Sequence, residues 1–206
     1  MKILDCTLRD GGYINNWRFN EDFIKNLSEQ LELCNVDLLE IGFINKINNY
    51  RNKIVGNTRI LDKNYIEKFK DYKFKKVVMA DFADLNMEIL NERINVDLIR
   101  IAFHKKDLEK ALETCYEIKK KGYKVSVNAM AITNYDKTDL EYLFDKINSF
   151  GLDILYIADS FGCLQQNDIK YYFELFDKKL NNEVEIGFHL HNNMNNAYGN
   201  YEYLKN

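Results

Sequence analysis

Two histidines near the end of the chain have the spacing of a metal-binding pair. His189 and His191 flank Leu190 at the end of an apolar run that begins at Glu185, and this run predicts a β-strand. Because side chains alternate along a strand, both imidazoles point to one face and Leu190 points to the other. Two imidazoles on one face are able to share a metal ion. The alternative interpretation is a pair of polar residues that merely end a strand.

An arginine–aspartate pair follows the first predicted strand and offers a third ligand. Arg9 and Asp10 lie in the segment Thr7-Leu8-Arg9-Asp10-Gly11-Gly12. One interpretation is a surface ion pair worth less than about 1 kcal/mol. In the other, Asp10 joins the two histidines around one divalent ion, and coordination positions stay open for substrate and water. The planar guanidinium of Arg9 then binds a carboxylate or a developing oxyanion. Such a ligand set suits Mn²⁺, Mg²⁺, Fe²⁺, Co²⁺ or Zn²⁺.

Polar residues also occur at the ends of other predicted strands. Glu40 lies among apolar neighbours, and a buried carboxylate needs a partner, for which Arg9 is the expected cation. His104 and Ser160 follow two further strands. Asn192 and Asn193 follow the histidines, where they either orient ligands or cap the next helix.

Seven short apolar runs alternate with helical patterns, which predicts a parallel sheet of strands buried on both faces. The predicted strands are Lys2–Cys6, Leu38–Phe43, Lys76–Phe82, Leu98–Phe103, Lys124–Ala131, Ile154–Ala158 and Glu185–Leu190. Asn20 is the predicted N-cap of the first helix, and Ile66, Phe69 and Tyr72 mark a second one. A later helix is predicted to end at Gly151.

Two architectures contain such a sheet. A doubly wound sheet usually has a glycine-rich phosphate loop after its first strand, and Arg9-Asp10-Gly11-Gly12-Tyr13 does not match one. In a TIM barrel the chemistry lies at the carboxyl ends of the strands, where the polar residues of this chain occur. We therefore predict an α/β fold of the TIM (β/α)₈ type, in one domain over residues 1–206.

The predicted barrel is short of one unit. A full barrel has eight strands and typically about 250 residues, so the eighth strand–helix unit is expected to be missing. We expect either a chain truncated at its C-terminal end or a partner that closes the gap. Residues 44–60 form the longest connection without periodicity and are predicted to be an active-site loop.

Composition excludes several classes of function. The net charge of -3 gives no basic surface for nucleic acid. No segment has the length and apolarity of a transmembrane helix or the apolar core of a signal peptide. We expect a cytoplasmic protein without nucleic-acid or membrane partners.

Several blocks along nearly the whole chain resemble the DRE-TIM metallolyases, the HMGL-like or pyruvate carboxyltransferase family. Within that family they are most similar to the 4-hydroxy-2-oxovalerate aldolases. The blocks are Thr7–Gly11, Leu39–Gly42, Ile99–His104, Tyr156–Ser160, Asn167–Ile169 and Gly187–Asn193. Their order and spacing are far more specific than any one block.

The resemblance implies a role for each matching residue. Asp10, His189 and His191 would be ligands of a divalent metal ion, expected to be Mn²⁺, with Mg²⁺, Co²⁺ or Zn²⁺ as alternatives. Arg9 would stabilise an enolate oxygen and Glu40 would hold Arg9. Ser160 would help to bind the carboxylate of a 2-oxo acid.

Two positions depart from the aldolase pattern. Tyr13 stands where the aldolases have a histidine that acts as general base, and tyrosine, with a reference pKa near 10, is a poor base at neutral pH. Phe161 stands where they have a glycine, and a larger side chain there is expected to reshape the pocket.

The predicted reaction is aldol or retro-aldol cleavage of a 4-hydroxy-2-oxo acid to pyruvate and an aldehyde through a metal-bound enolate. The proposed bases for the 4-hydroxyl proton are Tyr13, His104 or a hydroxide on the metal. The predicted partners are the small 2-oxo acid and the aldehyde, with a homo-oligomer or a further C-terminal domain left open. The alternatives are a Claisen-type acyl-CoA condensation or cleavage like that of HMG-CoA lyase, and a non-catalytic or incomplete barrel module of a larger protein.

Overall fold

The computed structural model describes residues 1–47 and 54–205 of the 206-residue chain. Within those residues seven strands form one sheet, and each strand lies beside the one that precedes it in the chain. The strands are β1 (Leu4–Asp5), β2 (Leu38–Phe43), β3 (Lys75–Asp81), β4 (Leu98–Phe103), β5 (Val125–Ala129), β6 (Ile154–Asp159) and β7 (Glu185–Leu190).

Helices follow most of the strands. The α-helices are α1 (Gly12–Asn15), α2 (Glu21–Leu33), α3 (Lys63–Glu67), α4 (Leu108–Lys120), α5 (Lys137–Phe150), α6 (Gln166–Lys179) and α7 (Ala197–Lys205). Short 3₁₀ helices cover Asn57–Arg59, Phe82–Asp84, Met87–Asn91, Lys105–Asp107 and Ile132–Asn134. In the part of the chain that the structure describes, none of these helices has the length and hydropathy needed to cross a membrane.

The order of the strands distinguishes the two candidate architectures. A doubly wound sheet reverses its strand order part-way, whereas successive strands of a (β/α)₈ barrel lie side by side. The sequential order is the one observed, and β1–β2, β2–β3, β5–β6 and β6–β7 are parallel pairs. The prediction of an α/β fold of TIM-barrel type is therefore confirmed, and the described residues contain seven of its eight strands.

Met1–Arg100 forms one compact unit. Its β2 strand is buried along its whole length. The α2 helix begins as predicted, because the Asn20 side chain accepts a hydrogen bond of 2.7 Å from the backbone N–H of Phe23. Two short 3₁₀ helices, Phe82–Asp84 and Met87–Asn91, lie between β3 and β4, where the other connections of this kind contain an α-helix. Of the predicted loop at 44–60, residues 48–53 lie outside the described residues.

The second predicted helix is shorter than its pattern. The α3 helix ends at Glu67, so Phe69 and Tyr72 lie beyond it. The chain continues in turns that join residues three apart, with 3.1 Å from Phe69 N to Ile66 O and 3.3 Å from Tyr72 N to Phe69 O. Apolar residues spaced by three suit this tighter winding as well as an α-helix.

Ile101–Asn206 forms the second compact unit. The α5 helix has a capping box between Asp136 and Asp139 and ends at Gly151, whose φ of 59° is left-handed as a C-terminal glycine requires. The β7 strand differs from its prediction, since it is only half-buried. It is the last strand in the sheet order, and β1, the first, is half-buried too.

Candidate functional site

Arg9 is buried at the end of β1, with 6% of its surface exposed. A tight turn after β1 places it there, since the N–H groups of Arg9 and Asp10 both bond to the carbonyl of Cys6, at 3.1 and 2.7 Å. The Arg9 side chain donates from Nε to Glu40 Oε2 and from Nη1 to Asp10 Oδ1, each at 2.5 Å. Two carboxylates therefore fix the plane of one guanidinium.

Glu40 lies on β2 with no exposed surface. Its Oε2 accepts from Arg9, as the burial argument predicts, and its Oε1 accepts from Arg100 Nη1 at 2.7 Å. Arg100 is also fully buried, on β4. Sequence analysis gave Arg100 no role, although an arginine inside a run of buried β-branched residues signals a buried carboxylate partner.

These charges act on one another. Burial on its own lowers the pKa of Arg9. The nearby negative charges, chiefly those of Glu40 and Asp10, together raise it by more than burial lowers it, so the pKa lies above its ordinary value. Burial, and then the charge of Glu40, raises the pKa of the Cys6 thiol to about 12. Cys6 is therefore a neutral thiol at physiological pH and not a nucleophile.

One N–H-bearing atom of the guanidinium is left over. Arg9 Nη2 is buried and has no hydrogen-bond partner among the described residues. An unsatisfied buried donor costs about 1–3 kcal/mol, more for a charged group, and such a group in a folded protein calls for an explanation. A ligand oxygen is the natural acceptor for this atom.

Trp17 supports the turn that carries Arg9. Its indole Nε1 donates to the Arg9 carbonyl at 2.7 Å, and the ring has 7% of its surface exposed. Gly12 lets the ring approach, because a Cβ on Gly12 would lie 2.0 Å from Trp17 Cδ1. The Arg59 guanidinium lies 4.5 Å from the Trp17 ring centroid and 4.1 Å from that of Phe43. Sequence analysis missed both Trp17 and Arg59, and the only signal was the single tryptophan just after Gly11-Gly12.

Replacing Trp17 with phenylalanine should weaken this support without emptying the space. We expect Trp17→Phe to lower the free energy of unfolding by about 1–3 kcal/mol, because the buried Arg9 carbonyl loses its donor. Urea unfolding followed by circular dichroism measures the change. Trp17→Leu, which also removes the ring and its contact with Arg59, should cost more. Equal stability of Trp17→Phe and the parent chain would show that the indole bond contributes nothing.

Tyr13, the residue at the aldolase base position, lies on α1 and is 63% exposed. Its ring packs edge-on against Trp17, with centroids 4.7 Å apart. The structure thus places the Tyr13 side chain at the surface of its own unit, supported by the same indole that holds Arg9.

In the second unit the two histidines face each other at the end of β7. His189 Nε2 and His191 Nε2 are 3.1 Å apart, and their ring centroids are 4.9 Å apart. Both residues are half-buried. Two imidazole nitrogens at this distance have the separation of two metal ligands that each lie about 2.1 Å from one ion. The predicted alternation along the strand therefore brings both imidazoles to one point.

The loop after β6 orients His191. His191 Nδ1 lies 3.3 Å from the carbonyl oxygen of Ser160, so the ring donates there and leaves Nε2 as the bare nitrogen that a metal needs. The Ser160 hydroxyl accepts a hydrogen bond of 2.8 Å from Ala131 N and keeps its own proton to donate. Asp159 holds the loop, because its carboxylate accepts from the N–H groups of Cys163 and Leu164.

The other predicted residues of this unit lie nearer the solvent. His104 is exposed and precedes the 3₁₀ helix Lys105–Asp107, and its side chain makes no hydrogen bond within residues 1–47 and 54–205. Phe161 is 53% exposed. Asn192 accepts from Ala197 N at 3.1 Å, which favours its interpretation as a cap of α7.

The structure thus assembles two parts of the candidate site, one in each unit. Arg9, Asp10 and Glu40 are joined by direct hydrogen bonds in the first unit. His189, His191 and Ser160 are joined in the second. The first part can bind and stabilise an anionic oxygen, and the second can supply neutral nitrogen ligands to a metal ion.

Comparison with known proteins gives one family over almost the whole chain. The model of the HMGL-like family matches residues 1–203. A curated relative, 4-hydroxy-2-oxovalerate aldolase of Bacillus cereus, is 21% identical over 204 residues, which are 97% of this chain and 59% of that protein. Another, oxaloacetate decarboxylase of Mycobacterium tuberculosis, is 22% identical over 96% of this chain and 59% of its own length.

A solved structure is similar over the whole chain. It is a crystal structure of the "N-terminal domain of a putative aldolase" from Bacteroides vulgatus, with a TM-score of 0.86 and 27% sequence identity, and it covers 100% of this chain and 69% of that one. This chain therefore spans about three fifths of the length of the curated relatives it matches.

Proposed function

The chain belongs to the HMGL-like family, and on that premise we propose that it is a divalent-metal-dependent carbon–carbon lyase that cleaves a 4-hydroxy-2-oxo acid to pyruvate and an aldehyde. The facing pair of His189 and His191 carries this proposal. We also propose residues 1–206 as one catalytic domain, a cytoplasmic location and small-molecule substrates. A homo-oligomer or a further C-terminal domain is compatible with this function.

The donor set fits a divalent ion. The nitrogens of His189 and His191 are 3.1 Å apart, and His191 is held in the tautomer that presents Nε2. We propose Asp10, whose carboxylate is about one third exposed, as the third ligand. Two imidazoles and a carboxylate can hold any of several divalent ions, and we propose Mn²⁺, as the family resemblance implies, with Mg²⁺, Co²⁺ or Zn²⁺ as alternatives. When bound, the ion supplies Lewis-acid polarisation of the substrate's 2-oxo group.

Arg9 is the group proposed to stabilise the developing oxyanion. Cleavage of the bond between C3 and C4 leaves its electron pair on the pyruvate part as an enolate, whose oxygen gains negative charge. Arg9 has a buried Nη2 with no partner among the described residues, and Glu40 and Asp10 fix its plane. A donor fixed before the reaction stabilises the developing charge without having to reorganise. Ser160 retains a hydroxyl proton for the substrate carboxylate.

Tyr13 and His104 are the side chains proposed to take the 4-hydroxyl proton. Tyr13 lies on α1, directly after Arg9 and Asp10 in the chain, while His104 is exposed in the second unit. Either group would accept the proton as the aldehyde carbonyl forms. Comparing the activities of Tyr13→Phe and His104→Asn would identify the one that is needed.

Metal removal tests the proposed function directly. Purified protein should release pyruvate from 4-hydroxy-2-oxopentanoate, detected by coupling to lactate dehydrogenase. Treatment with a chelator should abolish the activity, and Mn²⁺ should restore it. Pyruvate release that survives complete metal removal would overturn the proposal, as would its absence with each of the four candidate ions.

Decarboxylation of oxaloacetate is a second candidate, favoured by the exposed tyrosine at the aldolase base position. Loss of CO₂ from oxaloacetate gives the same pyruvate enolate, but it requires no base because there is no 4-hydroxyl proton to remove. Tyr13 would then need no proton-accepting role. Release of CO₂ from oxaloacetate, faster than the metal ion alone achieves, together with no cleavage of 4-hydroxy-2-oxopentanoate would favour this reaction.

A further inference from the structure

Asn45 is a buried polar side chain that the proposed chemistry does not use. It follows β2 and has 1% of its surface exposed. Both its amide nitrogen and its amide oxygen are buried, and neither has a hydrogen-bond partner among the described residues. Leaving such buried groups unsatisfied is costly to the fold, so their retention needs a reason.

A bulge in β2 decides the direction of this side chain. Glu40 pairs with Val77 and Phe43 with Met79, so β2 takes three steps where β3 takes two. Gly42 absorbs the extra residue with a φ of 144°, and a Cβ there would lie 2.3 Å from the Thr58 carbonyl oxygen. An extra residue reverses the alternation beyond it, so Phe43 returns to the face of Glu40.

Contacts support this assignment of faces. Arg9 bonds to Glu40, and its guanidinium also lies 5.8 Å from the centroid of the Phe43 ring. The chain stays extended beyond Phe43, since Asn45 forms an isolated bridge with Leu85. Asn45, two residues after Phe43, therefore lies on the same face as Glu40 and Phe43, about 6–7 Å beyond Phe43 along the strand.

Asn45 lies just past the carboxyl end of β2. The proposed function assigns the metal ligands, Arg9 and Ser160 to the pyruvate half of the molecule. The carboxyl end of β2 lies on the side of the barrel where such folds bind substrate, and Asn45 extends the Arg9 face in that direction. An amide offers two donor hydrogens and an acceptor, and a hydroxyl group, which both donates and accepts, is the complementary ligand.

We propose that Asn45 is a specificity-determining residue that hydrogen-bonds a hydroxyl group on the aldehyde-derived half of the substrate. This inference rests on the proposed lyase function, and it names a hydroxylated aldehyde as the preferred product. In the aldol direction the protein should favour glycolaldehyde over propionaldehyde. The two aldehydes have the same size, but glycolaldehyde carries a hydroxyl where propionaldehyde carries a methyl group.

The test compares these two aldehydes in condensation with pyruvate. Replacement of Asn45 by leucine, similar in size but apolar, should lower the ratio of kcat/KM for glycolaldehyde to that for propionaldehyde by about tenfold. Asn45→Ala, which inserts no larger side chain, should lower it as well. Ile44→Val, at the buried neighbouring position on the opposite face, is the matched control and should leave the ratio unchanged.

Proton exchange separates the failure of this inference from failure of the proposed function. Deuterium exchange into the methyl group of pyruvate, followed by NMR, needs enolate formation but no aldehyde, and it should persist in Asn45→Leu. An unchanged aldehyde ratio with normal exchange would overturn the role of Asn45 alone and leave its amide as a structural group. Absence of both exchange and condensation in the parent chain would overturn the two proposals together.

Discussion

Mn²⁺ binding should weaken by more than about a hundredfold when His189 is replaced by alanine. Losing a partner outside the ligand shell already costs a metal site 10–100-fold in affinity, and loss of a ligand should cost at least as much. His189 Nε2 lies 3.1 Å from His191 Nε2, so its removal takes away half of the facing pair. Isothermal titration calorimetry with Mn²⁺ measures the affinity, and lyase activity should fall in parallel.

The chain supplies its own control for this change. It contains three histidines, and the third, His104, is exposed and makes no side-chain hydrogen bond within the described residues. His104→Ala should bind Mn²⁺ with the parent affinity, whatever its effect on turnover. Equal Mn²⁺ affinities of His189→Ala, His104→Ala and the parent chain would show that the ion, if bound, lies elsewhere.

The pairing of these histidines could be read from the sequence because a strand imposes a fixed alternation. The predicted limits of Leu38–Phe43 and Glu185–Leu190 agree with β2 and β7, and the His189-Leu190-His191 spacing then requires both imidazoles on one face. The Arg9–Glu40 contact followed from the cost of an unpaired buried carboxylate. Periodicity and the cost of burial were sufficient for these parts of the site.

Other features depend on local backbone geometry that apolar patterns do not encode. The run of Leu38–Phe43 shows no sign of the extra residue that turns Phe43 and Asn45 onto the face of Glu40. Trp17 reaches Arg9 only because the chain reverses through residues 16 and 17, whose φ angles of 56° and 57° are left-handed. Asparagine adopts that conformation more often than most non-glycine residues, so Asn16 is a weak signal, but nothing in the sequence predicts it for Trp17.

The tautomer of His191 is a third feature that the sequence pattern does not predict. It depends on the carbonyl of Ser160, a main-chain atom in a loop 31 residues away in the sequence. Main-chain groups are the same at every residue, so side-chain types cannot reveal which of them will orient a ligand. The chemical groups of the candidate site could therefore be predicted from the sequence, but not all of the contacts that orient them.

Removal of Glu40 should strongly destabilise the first unit. Glu40→Ala takes away the carboxylate that accepts from both Arg9 and Arg100, and these guanidiniums are 6% and 0% exposed. Breaking a buried ion pair from one side costs about 3–5 kcal/mol, because the charge left behind is not resolvated. We expect a loss of that size in the free energy of unfolding, measured by urea denaturation.

Replacing a surface glutamate controls for the loss of unfolding free energy that follows from removing any carboxylate. Glu29 is paired with Lys25 at 3.8 Å and is about half exposed, so Glu29→Ala should cost only about 0.3–0.5 kcal/mol. Glu40→Gln keeps the size and an acceptor oxygen but removes the charge. It should lie between the two in stability, while its lyase activity falls because Arg9 is no longer fixed by an ion pair. If Glu40→Ala were no less stable than Glu29→Ala, the ion pairs of Glu40 with Arg9 and Arg100 would not be strong enough to hold Arg9 in the fixed position that its proposed role at the oxyanion requires.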